Sequence, residues 1–119
     1  MPGVILSDEF ARDFSKIEAR AEKGDGEARY LLGIISKGIA KLGEDVEAGR
    51  KIKRRLWPVE YVRKYGVTNL WKLNLDSYWR MIYTIRGSSA EIISFVIDVL
   101  DHKEYERSSA TKADSDISE

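Results

Sequence analysis

The run Leu70-Trp71-Lys72-Leu73-Asn74-Leu75, followed after Asp76-Ser77 by Tyr78-Trp79-Arg80-Met81-Ile82-Tyr83-Thr84-Ile85-Arg86, decides how this chain folds. Its apolar residues recur every second position, the spacing of a strand with one face against a core. Trp71, Leu73 and Leu75 take one side and Lys72 and Asn74 the other. In the next strand Trp79, Met81, Tyr83 and Ile85 alternate with Arg80, Ile82, Thr84 and Arg86. Asp76-Ser77 turns the chain between them, and Gly87-Ser88-Ser89 makes a second turn. Glu91 to Leu100 then carries Ile92, Ile93, Phe95, Val96, Ile97 and Val99, apolar on both faces as a central strand is. Three antiparallel strands in a meander follow from these signals.

Upstream the period changes from two to 3.6. Gly3 to Leu6 reads as a short first strand. Ser7 offers an N-cap, with Asp8 and Glu9 in the first turn of a helix that buries Phe10, Phe14, Ile17 and Ala21 and runs to about Lys23. Gly24-Asp25-Gly26 breaks it. Asp25 caps a second helix with the stripe Ala28, Leu31, Leu32, Ile35, Ile39 and Leu42, ending at Gly43. So short a link makes the two an antiparallel hairpin. Glu44 to Arg55 is charge-dense with poor periodicity, an exposed connection or a short irregular strand around Lys51 to Arg55. Trp57-Pro58 resets the backbone for a brief helical turn from Tyr61 to Tyr65, closed by Gly66. The fold class expected is α+β: an N-terminal strand and a helical hairpin packed on an antiparallel sheet.

With 119 residues the chain fits one domain, 1–107, followed by a polar, increasingly acidic tail, 108–119, too poor in apolar residues to be held on a core. There is no cysteine, which excludes disulfides, thiolate metal sites and cysteine nucleophiles. The N-terminus lacks a basic leader region and no stretch is long enough to span a bilayer, so the chain reads as a cytoplasmic protein without a membrane partner. Formal net charge is zero, yet between Arg50 and Arg86 ten basic residues face only Glu60 and Asp76. That segment carries +8 and the remainder cancels it. The middle third is therefore able to attract phosphate although the whole is neutral.

The order of elements, the two strand sequences quoted above and the end Ile97-Asp98-Val99-Leu100-Asp101-His102-Lys103-Glu104-Tyr105 together resemble the RelE/ParE toxin superfamily. Members share a basic strand, a Tyr-Arg-aliphatic-aliphatic-Tyr strand, and a last strand running into a His/Arg-basic-x-Tyr end. The resemblance covers about Val4 to Tyr105 in topology and rests on sequence detail from about Leu70 onward. It implies a toxin of a type II toxin–antitoxin system: a ribosome-associated endoribonuclease that cuts mRNA without metal or cofactor and is held by a cognate antitoxin. Such cleavage needs a base for the ribose 2′-OH, cations for the phosphorane charge and an acid for the leaving 5′-oxygen. Carried over by position, Arg80 clamps the scissile phosphate, and Lys72 stabilises charge or helps activate the 2′-OH. His102 is an acid or base, and Tyr105 a stacking or proton-donating partner. Lys103 adds phosphate affinity, and the run Lys51, Lys53, Arg54 and Arg55 is a further candidate for RNA contact beside Trp57, Tyr61 and Tyr65.

Two positions depart from the pattern. Asn74 stands where cleaving members often carry a second basic residue, and the turn is one residue shorter, with Tyr78 where a glycine is common. Blander readings compete at each site. His102 suits a solvated surface, Arg80 suits an ion pair with Asp76 or Asp98, and the 51–55 run suits a solvated loop. Two other functions stay open: a ParE-like toxin that binds a topoisomerase, and a catalytically inactive interaction module. A homodimer is also left open.

Overall fold

The computed structural model describes residues 3–87 and 91–106. The expected tail, 108–119, and Ser88 and Ser89 of the second turn lie outside these residues. Strand β1 (Gly3–Leu6) leads into α1 (Asp8–Glu22) and α2 (Gly26–Glu44). A two-residue strand β2 (Arg50–Lys51), a 3-10 turn (Arg54–Leu56) and a short α3 (Val59–Tyr65) follow. Strands β3 (Trp71–Asn74), β4 (Trp79–Gly87) and β5 (Ile92–Asp101) complete the chain, in a five-stranded sheet of order β1-β5-β4-β3-β2. The α+β class is as expected. The sheet is mixed at one edge, because β1 pairs parallel with β5 while every other pairing is antiparallel.

The helical hairpin forms where the caps predict. Ser7 Oγ accepts the Phe10 N–H at 3.1 Å and Asp25 Oδ1 accepts the Ala28 N–H at 3.1 Å. Each satisfies one of the backbone donors a helix leaves free at its start. The hairpin covers one face of the sheet. Phe10, Leu31, Ile35 and Leu42 from the helices close on Trp71, Leu73, Met81, Tyr83 and Val96 from the strands. Leu32, expected in the stripe, is only half-buried. Gly38 lets α2 approach: a Cβ there would lie 2.5 Å from Leu75 Cδ2 and 3.2 Å from Met81 Cε.

Buried Tyr83 ties the connection after α2 to this layer. Its hydroxyl donates to the Val46 carbonyl at 2.7 Å and accepts the Gly49 N–H at 3.1 Å. The expected irregular strand around Lys51 to Arg55 is shorter and earlier than its charge pattern suggested, since only Arg50 and Lys51 pair with β3 before the chain turns into the 3-10 segment. On the opposite sheet face, Ile52, Trp57, Val67, Leu70, Ile82 and Ile97 form a second cluster, joined by Tyr61, Tyr65, Phe95, Leu100 and Tyr105. The Trp57 indole N–H reaches the Ile52 carbonyl at 2.8 Å, and the Ile52 N–H reaches the Leu70 carbonyl at 2.8 Å. Arg86 fastens α3 down, lying 4.1 Å from the Phe95 ring centroid and donating to the Tyr65 carbonyl at 2.6 Å. An ion pair between Lys64 and Glu9 joins α3 to the start of α1.

A register shift in the β4–β5 pairing falls between Ile82 and Tyr83, where Ile82 pairs with Asp98 and Tyr83 with Val96, leaving Ile97 as the extra residue of a bulge. Ser7 accommodates it. Its hydroxyl donates to the Ile97 carbonyl at 2.8 Å and its backbone N–H to the Val96 carbonyl at 2.8 Å.

Candidate nucleic-acid interface

Residues paired across neighbouring strands share a face, so the register assigns each charged side chain to one side of the sheet. Trp71 and Leu73 belong to the core under the helices, which puts Lys72 and Asn74 on the other face. Lys72 pairs with Ile82 on β4 and Arg50 on β2, and Asn74 pairs with Arg80, itself paired with Leu100. Arg50, Lys72 and Arg80 therefore occupy the face that the helical hairpin leaves free. One end of this face is covered by Trp57 and α3; the other carries the cations.

The chain after β5 does not stay extended. Residues 102–106 are helical, which places His102 and Tyr105 on a helical turn and not at a strand end. The signal is a reciprocal cap: Asp101 Oδ1 accepts the Glu104 N–H at 2.8 Å, and Glu104 Oε1 accepts the Asp101 N–H at 3.3 Å. This turn folds Tyr105 back over the sheet. Lys72 Nζ lies 4.9 Å from its ring centroid and the Arg80 guanidinium carbon 5.6 Å. Three sequence-predicted residues from three elements thus meet, two cations on one aromatic ring.

Arg80 forms no ion pair among the described residues, neither with Asp76 nor with Asp98. Its Nη1 donates to the Tyr78 carbonyl at 3.2 Å, and its Nε is shielded from solvent without a hydrogen-bond partner among those residues. His102 stands one helical turn before Tyr105, with Nε2 2.9 Å from Glu106 Oε1 and Nδ1 shielded and unpartnered among the described residues. Asp98 is half-buried, and that burial pushes its carboxyl up to about 6 against the pull of the Val99 N–H.

The remaining candidates are dispersed. Lys51 pairs with Trp71 and sits 5.7 Å from its ring, which assigns it to the helix side of the sheet edge. Arg54 stacks 5.3 Å from Trp57, and Lys53 and Arg55 are exposed around the 3-10 turn. Lys103 is exposed on the C-terminal turn. Arg50 was not singled out by the sequence. Alternation within Arg50–Lys51 would have flagged it once β2 was known to pair with β3. Among the described residues no cluster of three or more His, Asp or Glu is placed to hold a metal ion, and no helix is long and apolar enough to cross a membrane.

No protein-family model and no curated protein matches the sequence. Among solved structures, a YoeB/ParE toxin from Agrobacterium tumefaciens superposes with a TM-score of 0.56 at 16% identity, over 84% of this chain and 98% of that one. A strand, a helical hairpin and an antiparallel meander with one basic face make up this α+β fold. The fold of this chain is that of the RelE/ParE toxins.

Proposed function

We propose that this protein is the toxin of a type II toxin–antitoxin pair and that it cleaves mRNA on the ribosome by attack of a ribose 2′-OH on the adjacent phosphorus. The observation that carries this reading is the convergence of Lys72 and Arg80 on the Tyr105 ring, at the end of this sheet face that Trp57 and α3 leave open, with no carboxylate paired to either among the described residues. The Arg80 Nε, shielded and without a hydrogen-bond partner among the described residues, is an unsatisfied donor of the kind found at functional sites, and it holds a guanidinium whose outer edge faces the open end of the sheet. Arg80 then clamps the scissile phosphate with its planar fork and Lys72 adds charge where the phosphorane develops. Arg50 and Lys103 extend the attraction along the backbone of the RNA, and the 51–55 run contributes long-range attraction only.

The reaction breaks the phosphorus–5′-oxygen bond as the 2′-oxygen bonds to phosphorus. One proton leaves the 2′-OH and one reaches the departing 5′-oxygen. His102, steadied by Glu106, is the candidate for one transfer and the Tyr105 hydroxyl for the other. The products are a 2′,3′-cyclic phosphate and a 5′-OH. An antitoxin would cover this face, and the exposed Val59 and Val62 of α3 beside it offer that partner apolar contact.

Asn74 favours a second reading. It is exposed and directly opposite Arg80, a position where a cation would strengthen phosphate binding, so a protein-binding toxin that blocks a topoisomerase fits the same surface. Inducible expression with mapping of transcript ends separates the two. The ribonuclease reading predicts growth arrest and new cuts inside translated messages, each with a 5′-OH and a cyclic phosphate, lost in Arg80→Ala. Arrest with intact transcripts and induced DNA damage would overturn it.

A further inference from the structure

We propose that Tyr78 is a base-stacking residue that holds the nucleobase next to the phosphate bound by Arg80, an inference that rests on the reading of this face as an RNA site. Tyr78 is 41% exposed, at the tip of the β3–β4 turn. The turn is held firmly. Asp76 Oδ1 accepts both the Tyr78 N–H at 2.7 Å and the Trp79 N–H at 2.6 Å, and its Oδ2 accepts the Tyr30 hydroxyl of α2 at 2.5 Å. The Tyr78 ring meets Trp79 edge-on, with centroids 5.6 Å apart at 85°, and Trp79 is itself packed against the helix-side core.

Two features connect this ring to the cationic site. Arg80 Nη1 donates to the Tyr78 carbonyl at 3.2 Å, so the guanidinium and the turn are fixed relative to each other. Tyr78 lies in the bend just before β4, and this contact sets its backbone beside the guanidinium, within the reach of about one nucleotide of a phosphate on Arg80. Tyr105, the other aromatic of the site, is engaged by Lys72 and Arg80, whereas Tyr78 has no cation over its ring among the described residues. An edge-on contact leaves a ring face open, and an unstacked base of a single strand presents the matching surface. Because every base has such a surface, the contact strengthens binding at one nucleotide irrespective of its identity.

The test is fluorescence anisotropy of the full chain with a labelled single-stranded RNA dodecamer, intact or carrying one abasic nucleotide at each position in turn. Tyr78→Ala is expected to weaken binding of the intact RNA about tenfold, in the range of one base–aromatic stack, while Tyr78→Phe retains it. With the abasic site at one position, wild type and Tyr78→Ala should bind equally. Thermal unfolding of both variants checks that the turn survives. If Tyr78→Ala binds every RNA like wild type while Arg80→Ala does not, the stacking assignment is overturned and the RNA surface stands. A Tyr78→Ala loss of equal size on all abasic RNAs also overturns it. Unchanged binding by Arg80→Ala would remove the RNA surface and the stack with it.

Discussion

The two faces of one sheet are built from the same strands and end in opposite conditions. On the helix side, Trp71, Leu73, Met81, Tyr83 and Val96 are buried under two amphipathic helices, and the polar Tyr83 hydroxyl is satisfied in both directions. The other side is closed at one end by Trp57 and α3 and opens at the other onto Lys72, Arg80 and Tyr105. One period-two pattern therefore carries two instructions: alternate positions build a core on one side, and the intervening ones change along the strand from core to cation. In β4 the row Arg80, Ile82, Thr84, Arg86 makes the change explicit. Arg86 is spent on the Tyr65 carbonyl and the Phe95 ring, whereas the Arg80 Nε has no hydrogen-bond partner among the described residues.

If the faces divide stability and function in this way, substitutions should separate them. The largest stability effect is expected on the helix side, where Ile35→Ala, fully buried against the sheet, should lower unfolding free energy in urea by about 2–5 kcal/mol. The double substitution Lys72→Ala, Arg80→Ala should stay within about 1 kcal/mol of wild type, since it removes two cations without an ion-pair partner among the described residues. A loss there as large as that of Ile35→Ala would mean that the cations are structural.

Much of this division was legible in the sequence, and its limits have physical causes. The strand alternation from Trp71 to Arg86, the Ser7 and Asp25 caps and the left-handed Gly66 at the end of α3 (φ 59°) are local signals, carried within a few residues. The parallel seat of β1 depends on pairing Gly3 with Ile93, a contact no window of sequence contains. β2 has two residues, too few to display a period. The Ile97 bulge depends on what Ser7 does some ninety residues earlier. Of the candidate site residues, Lys72, Arg80 and Tyr105 lie together in the structure, but the helical turn that brings Tyr105 inward was not read from the sequence, although Asp101 and Glu104 spell a capping box. Arg50 was missed because its face is defined only by its partner on β3.

A smaller effect sharpens the boundary between the covered and open ends. Asp98 pairs with Ile82, and burial lifts its carboxyl to about 6, above the 3.8 of a free aspartate. Between these values the folded state binds more protons than the unfolded, so this group's contribution to stability is fully present below about pH 4 and declines as pH rises through 6. Asp98→Asn keeps the oxygen that accepts the Val99 N–H. It should match wild type near pH 4 and exceed it by about 1–3 kcal/mol above pH 7, read from urea unfolding at several pH values. Parallel stability curves across that range would contradict the burial assigned to this carboxyl.

The central claim is that function resides on the open sheet face and not in the more densely charged run beside it. It is tested most directly by comparing growth arrest on induction of two variants, Lys72→Ala with Arg80→Ala, and Lys53→Ala with Arg54→Ala and Arg55→Ala. The first, which removes fewer charges, is expected to abolish arrest at wild-type protein levels, and the second, which removes more, to retain it. Arrest that survives the first and disappears in the second would place function in the 51–55 run instead.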